Sequence, residues 1–145
     1  MNEALTAEPI VVIDDDYAMR FSCRKILLKA GYIVEDFEDG ASGLEAIAAL
    51  KPSLVLVDLK MPGMSGMEVI ARLHEIDPGI ICVVITGYAT IDTAVEAMKS
   101  GAYDFLPKPF SPDELRIIVR RGLERRRLAQ AQGAQAVHRQ PDAPL

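Results

Sequence analysis

The stretch LVLVDLKMPGMSG, residues 54–66, decides how this chain is read. Leu54, Val55, Leu56 and Val57 are apolar without interruption, and Asp58 follows at once. A short unbroken apolar run is the mark of a strand buried on both faces, as in a parallel sheet. Met61, Pro62, Gly63, Met64, Ser65 and Gly66 then form a stiff, turn-rich segment that stops the strand and redirects the chain. A buried strand that ends on a charge, with the chain turned sharply away, asks what that charge is for.

Working outward, four more short runs stand at residues 10–13, 33–37, 80–85 and 104–106. Segments of helical period separate them, at about 17–30, 40–50, 66–76, 91–100 and 113–130. Gly31, Gly79 and Gly101 punctuate helix ends or turns. Asp92 and Asp113 fall in first turns, where a carboxylate suits the helix dipole, and Pro112 suits a first helical position. Strands alternating with helices predict an α/β fold: one doubly wound (βα)5 domain whose parallel sheet is covered on both faces. The run at 33–37 carries Glu35 and fits an edge strand.

The bulk properties agree. The chain has 145 residues, half of them hydrophobic, and a net charge of −5. That predicts a single domain with a sufficient core and a poor generic binder of polyanions. Cys23 and Cys82 lie in apolar patterns and read as reduced core residues. His74 and His138 lack Cys or His neighbours at ligand spacing and read as surface residues. The longest apolar run, at 80–85, is too short to span a membrane, and MNEALTAEP lacks the features of a signal peptide, so a cytoplasmic protein is expected. Residues 129–145, AQAQGAQAVHRQPDAPL, read as a frayed helix end followed by a disordered tail or linker.

In a doubly wound sheet, ligands bind beyond the carboxyl ends of the strands. The first strand ends in Asp14, Asp15 and Asp16, the third in Asp58, the fourth in Thr86, and the fifth in Lys108 followed by Pro109. A parallel sheet brings these to one edge. Gathered carboxylates repel unless a cation compensates, and Mg²⁺ favours such oxygen ligands. Carboxylates with Mg²⁺, a hydroxyl and an ammonium suit phosphoryl transfer, in which a carboxylate can itself be the nucleophile. Each residue taken singly has a structural reading; Asp16, for instance, can simply cap the following helix.

Four motifs in order, IDDD (13–16), VDLKMPGMSG (57–66), VVITGYA (83–89) and DFLPKPF (104–110), resemble the receiver domain of two-component response regulators over about residues 8–128. The resemblance implies a flavodoxin-like sheet of order 2-1-3-4-5. It implies that Asp58 accepts a phosphoryl group from the phosphohistidine of a sensor histidine kinase. Asp15 matches the direct Mg²⁺ ligand, Asp14 its acidic partner, and the Lys60 backbone carbonyl a third ligand. Thr86 matches the hydroxyl that follows the phosphoryl group, and Lys108 the lysine that pairs with it. The Lys108–Pro109 bond is expected to be cis. The switch position, often Tyr in the family, is Phe105 here, with Tyr103 expected on the opposite face. Lys60 and Tyr88 match the two positions that tune phosphoryl lifetime, and a bulky Tyr88 predicts slow dephosphorylation.

The family's output face is the fourth helix, fifth strand and fifth helix, commonly a dimer surface. Within it, Ile91, Ala94, Val95 and Met98 recur at helical spacing and are expected to be mostly core. The last helix is long and basic, with Arg116, Arg120, Arg121, Arg125, Arg126 and Arg127. With no helix-turn-helix pattern in an acidic domain, it reads as a solvated helix leading to an output module or aiding a dimer, not as a nucleic-acid binder. ITGYATIDTAVEAMKSGAYDFLPKPF followed by ERRRL most resembles receivers of nitrogen-regulation-type transcriptional activators. Three other readings compete: a haloacid-dehalogenase-like phosphatase with Asp14 as nucleophile, a flavodoxin-like flavin binder, and a phosphorylation-independent scaffold.

Overall fold

The structure is a computed structural model and describes residues 9–139, with side-chain surroundings given to residue 132. Five strands alternate with five helices: β1 (Pro9–Ile13), α1 (Tyr17–Lys29), β2 (Ile33–Phe37), α2 (Gly40–Leu50), β3 (Leu54–Val57), α3 (Gly66–Ile76), β4 (Ile81–Thr86), α4 (Ile91–Lys99), β5 (Asp104–Pro107) and α5 (Pro112–Arg139). The strands form one parallel sheet of order β2-β1-β3-β4-β5, the flavodoxin-like arrangement. β2 is an edge, as Glu35 in its sequence suggests.

The central strands are apolar because both their faces are covered. Every residue of β3 and β4 is buried. Alternate residues serve opposite layers. Ile10, Val12, Leu54 and Leu56 pack with Cys23 and Leu27 of α1 and Leu115, Val119 and Leu123 of α5. Val11, Ile13, Val55 and Val57 pack with Ile47, Val69, Ile70 and Leu73 from α2 and α3, and Ala97 of α4. Each fully buried Leu, Ile or Val contributes about 1.5–3 kcal/mol, so these two layers hold the sheet rigid behind its carboxyl edge.

The turn after β3 has a definite cause. Gly63 has φ +78°, in the left-handed region that glycine tolerates. Gly66 donates its N–H to Leu59 O at 2.9 Å. A Cβ on Gly66 would lie 2.3 Å from the Asp58 carbonyl oxygen. Only glycine lets α3 start so close to the end of β3. Ser65 then caps the helix by accepting from Glu68 N–H.

Three expectations change. The α4 stripe is not mostly core: Ile91 is 82 % exposed, and Val95 and Met98 are also exposed. The helix turns its small residues to the sheet, burying Ala97 and half-burying Ala94, which leaves the large ones outside. His74 is half-buried, its ring against Gly101; His138 lies beyond the residues with described side chains. α5 runs on to Arg139, past the expected end near 130. Its last residues fall where a frayed helix end was expected at the start of 129–145, and residues 140–145 lie outside the described part. Tyr103 and Phe105 do pack in opposite layers, although strand alternation would put them on one face; Tyr103 precedes β5 and escapes its pleat. Among the described residues, no helix is long and apolar enough to cross a membrane.

Candidate phosphoryl-transfer site

The carboxyl ends of β1, β3, β4 and β5 converge on one edge. Asp14 leaves β1 with its N–H donated to Phe37 O at 3.1 Å, and Asp58 leaves β3 with its N–H donated to Ile13 O at 3.0 Å. The ladder thus extends one residue past each strand and fixes both backbones. The side chains of Asp14, Asp15 and Asp58 each offer an oxygen within 4.8 Å of the others. Asp14 is fully buried, Asp58 is 5 % exposed, and Asp15 is exposed. Asp16 stands apart and caps α1, accepting from Ala18 and Met19 N–H.

Lys108 bridges the two buried acids. Its ammonium donates to Asp14 Oδ2 at 2.9 Å and to Asp58 Oδ2 at 3.1 Å. Burial pushes the Asp14 carboxyl above its usual range, although the Asp16 N–H and Lys108 pull against that. Burial would likewise lower Lys108, but the Asp14 and Asp58 carboxylates outweigh it and hold the ammonium above its ordinary value. Three carboxylates against one ammonium leave the cluster short of positive charge. An oxygen-rich, electron-rich cluster of this kind fits a hard divalent cation. The following Lys108–Pro109 peptide is cis.

Thr86 ends β4 fully buried, and its hydroxyl accepts from Tyr88 N–H at 3.1 Å. Phe105 is half-buried and packs in the layer of Val84. Lys60 donates its backbone N–H to Asp58 Oδ1 at 3.3 Å. Its ammonium stands over the Tyr88 ring, 5.0 Å from the centroid, so the loops after β3 and β4 touch. Asp14, Asp15, Asp58 and Lys108 are thus directly assembled; the Thr86 hydroxyl bonds within its own loop.

Two residues at this edge carry no signal in the sequence. Arg20, on α1, donates to the Asp14 carbonyl oxygen at 2.8 Å. An arginine on an amphipathic helix reads as solvated surface. Thr93 exchanges hydrogen bonds with Thr90 in a capping box and also donates to Tyr88 O at 3.0 Å, tying α4 to the loop after β4. A Thr at N3 is an ordinary helix residue by sequence.

A sheet of this order with acids at the ends of β1 and β3 and a lysine after β5 defines a class, and comparison with known proteins names it. The chain belongs to the response regulator receiver domain family, whose model matches residues 10–120. It is 38 % identical over 112 residues to the DNA-binding transcriptional regulator NtrC of Escherichia coli, covering 77 % of this chain and 24 % of that one. It is 43 % identical over 119 residues to the C4-dicarboxylate transport transcriptional regulatory protein DctD of Pseudomonas aeruginosa, covering 82 % and 26 %. A crystal structure of NtrX from Brucella abortus superposes with TM-score 0.85 at 33 % identity, covering 89 % of this chain and 29 % of that one. The chain therefore spans about a quarter of the length of these relatives.

Membership sets aside the phosphatase and flavin-binding readings: receivers are typically not enzymes in their own right. It places the chain among two-component signalling receivers. The acidic trio is of the kind that holds Mg²⁺ in receivers.

Proposed function

We propose that this chain is a phosphorylation-activated switch in which Asp58 accepts the phosphoryl group. One observation carries the reading: of the two buried acids among the described residues, Asp58 is the one that retains exposure while facing both Lys108 and the other carboxylates. An Asp58 oxygen attacks phosphorus, the N–P bond of a kinase phosphohistidine breaks with its electron pair going to the ring nitrogen, and the imidazole leaves neutral, keeping the proton already on its other nitrogen. The product is an acyl phosphate. Asp14, Asp15, Asp58 and the Lys60 carbonyl would hold Mg²⁺, which supplies charge neutralisation to the transferring oxygens. Lys108 would exchange its bond with Asp58 for one with a phosphoryl oxygen. Asp14 keeps it anchored meanwhile.

Thr86 is the relay. In reaching for a phosphoryl oxygen its hydroxyl would swing away from Tyr88 N–H, loosening the loop that Thr93 ties to α4. Phe105 fills the space so vacated; lacking a hydroxyl, it acts by packing alone. The output is a population shift on the face formed by α4, β5 and α5, where Ile91, Val95 and Met98 are exposed for a dimer partner or an output module. Transcriptional control is the output that the named relatives suggest. We place the receiver at 8–128, in the cytoplasm, with 129–145 as linker or tail, and assign no direct nucleic-acid contact to it. A scaffold that never takes phosphate would not need Lys108 and Thr86 at this edge.

The test is transfer of labelled phosphoryl from autophosphorylated histidine kinases, followed by hydrogen exchange. Label should appear in a Mg²⁺-dependent way, and exchange should change in α4, β5 and α5. Label without any change on that face would refute the relay.

A further inference from the structure

Arg20 makes contacts that its place on a helix surface does not require. Its guanidinium donates to the Asp14 carbonyl oxygen at 2.8 Å and to Asp36 Oδ2 at 3.0 Å, and its side chain is only 12 % exposed. It also covers the Tyr17 ring at 5.5 Å. The Asp14 carbonyl belongs to the peptide that leads into Asp15. Asp15 is exposed, and among the described residues no hydrogen bond or ion pair is found for its carboxylate. Yet the backbone around it is pinned: Asp14 N–H by Phe37 O, Asp16 N–H by Asp14 Oδ1 at 3.0 Å, and Asp14 O by Arg20.

We propose that Arg20 is a positioning residue for the divalent cation, holding the Asp14–Asp15 peptide so that the otherwise unheld Asp15 carboxylate points to the metal. The inference rests on the reading that Asp15 is a ligand. A ligand on a fixed peptide loses less freedom on binding, so the fixing group raises affinity without touching the ion. A guanidinium near a dication would by itself oppose binding. Asp36 answers this by sharing the charge of both Arg20 and Arg24, the latter at 3.3 Å. Arg24 is the natural comparison. It leaves the same helix and binds the same Asp36, but its other hydrogen bond goes to Val34 O at 2.7 Å, away from the acidic cluster.

The experiment is calorimetric titration of the metal-free chain with MgCl₂, alongside melting curves in EDTA. Arg20→Met should weaken Mg²⁺ binding on the order of tenfold, the usual scale for a supporting partner. Arg24→Met should leave the Kd unchanged whatever it does to melting. Phosphorylation of Arg20→Met by acetyl phosphate should be slow at low Mg²⁺ and recover at saturating Mg²⁺. An unchanged Kd in folded Arg20→Met, or equal weakening in both variants, overturns the proposal. If Arg20→Met does not fold, Arg20→Lys against Arg24→Lys makes the same comparison. Asp15→Asn separates the two levels. If it weakens binding while Arg20→Met does not, only the role of Arg20 falls. If it leaves binding unchanged, the ligand reading falls and the inference with it.

Discussion

The Lys60 ammonium stands over the Tyr88 ring, 5.0 Å from its centroid, joining the loops that follow β3 and β4. Both residues flank the carboxyl edge where Asp58 ends its strand, and Tyr88 is bound through its N–H to Thr86. A cation–π contact at an exposed site is worth about 0.5–1 kcal/mol. Tyr88→Ala should therefore speed hydrolysis of the acyl phosphate about two- to fivefold. Lys60→Ala should do the same, and the double variant should show less than the product of the two. Decay of phosphorylated protein, followed by intact mass, measures it; an unchanged rate in Tyr88→Ala would remove the shielding role.

Asp14 is a buried carboxyl in a site rich in negative charge. Its folded pKa is raised above 3.8, chiefly by burial. Folding thus favours the protonated acid: its contribution is best below pH 3.8 and is lost as pH rises through the raised value. Asp14→Asn should stabilise the metal-free domain at neutral pH by about 1 kcal/mol, the scale of a typical single-site change. The gain should vanish near and below pH 3.8. Lys108 contributes with the same pH sense, but in a much higher window, so at neutral pH it stabilises where Asp14 does not. Its folded pKa lies above 10.5, so its stabilisation persists to that pH and is lost as pH rises through the folded value. Denaturant melts in EDTA across pH test both. Destabilisation by Asp14→Asn at neutral pH would mean that the Lys108 pairing outweighs burial.

Gly66 lets the end of β3 and the start of α3 share one space. An added Cβ would meet the Asp58 carbonyl oxygen at 2.3 Å and Leu59 Cα at 2.6 Å, both backbone atoms that cannot swing aside. Gly66→Ala should cost about 1–3 kcal/mol, as overpacking does, and slow phosphorylation by shifting Asp58. Gly63→Ala would meet nothing within 4 Å and should suffer only from its φ of +78°. Denaturant melts of the two, compared with acetyl phosphate reaction rates, check this. Equal effects on rate would deny Gly66 its special place.

Some of this was legible in the sequence, for physical reasons. β3 and β4 are buried on both faces, so their apolar runs are unbroken, and their shortness between turn residues marks them as strands. Once they are strands, Asp58 and Thr86 fall at one edge by topology alone, and Asp14, Asp15 and Lys108 join them. α4 was legible as a helix but not in its orientation. Periodicity finds an apolar face, whereas packing against the sheet chose Ala94 and Ala97 over Ile91, Val95 and Met98. Arg20 was invisible because its partner at the site is the Asp14 carbonyl, and every residue has a carbonyl. The Lys60–Tyr88 contact joins two loops whose spacing no pattern encodes.

The central claim is that Asp58 is the residue that takes the phosphoryl group. It is tested most directly by incubating the chain with Mg²⁺ and acetyl phosphate and weighing it intact, beside Asp58→Asn. One phosphoryl group should add to the wild-type chain and none to Asp58→Asn. Addition to both would contradict the account and move the nucleophile to another acid, with Asp14 the next to examine.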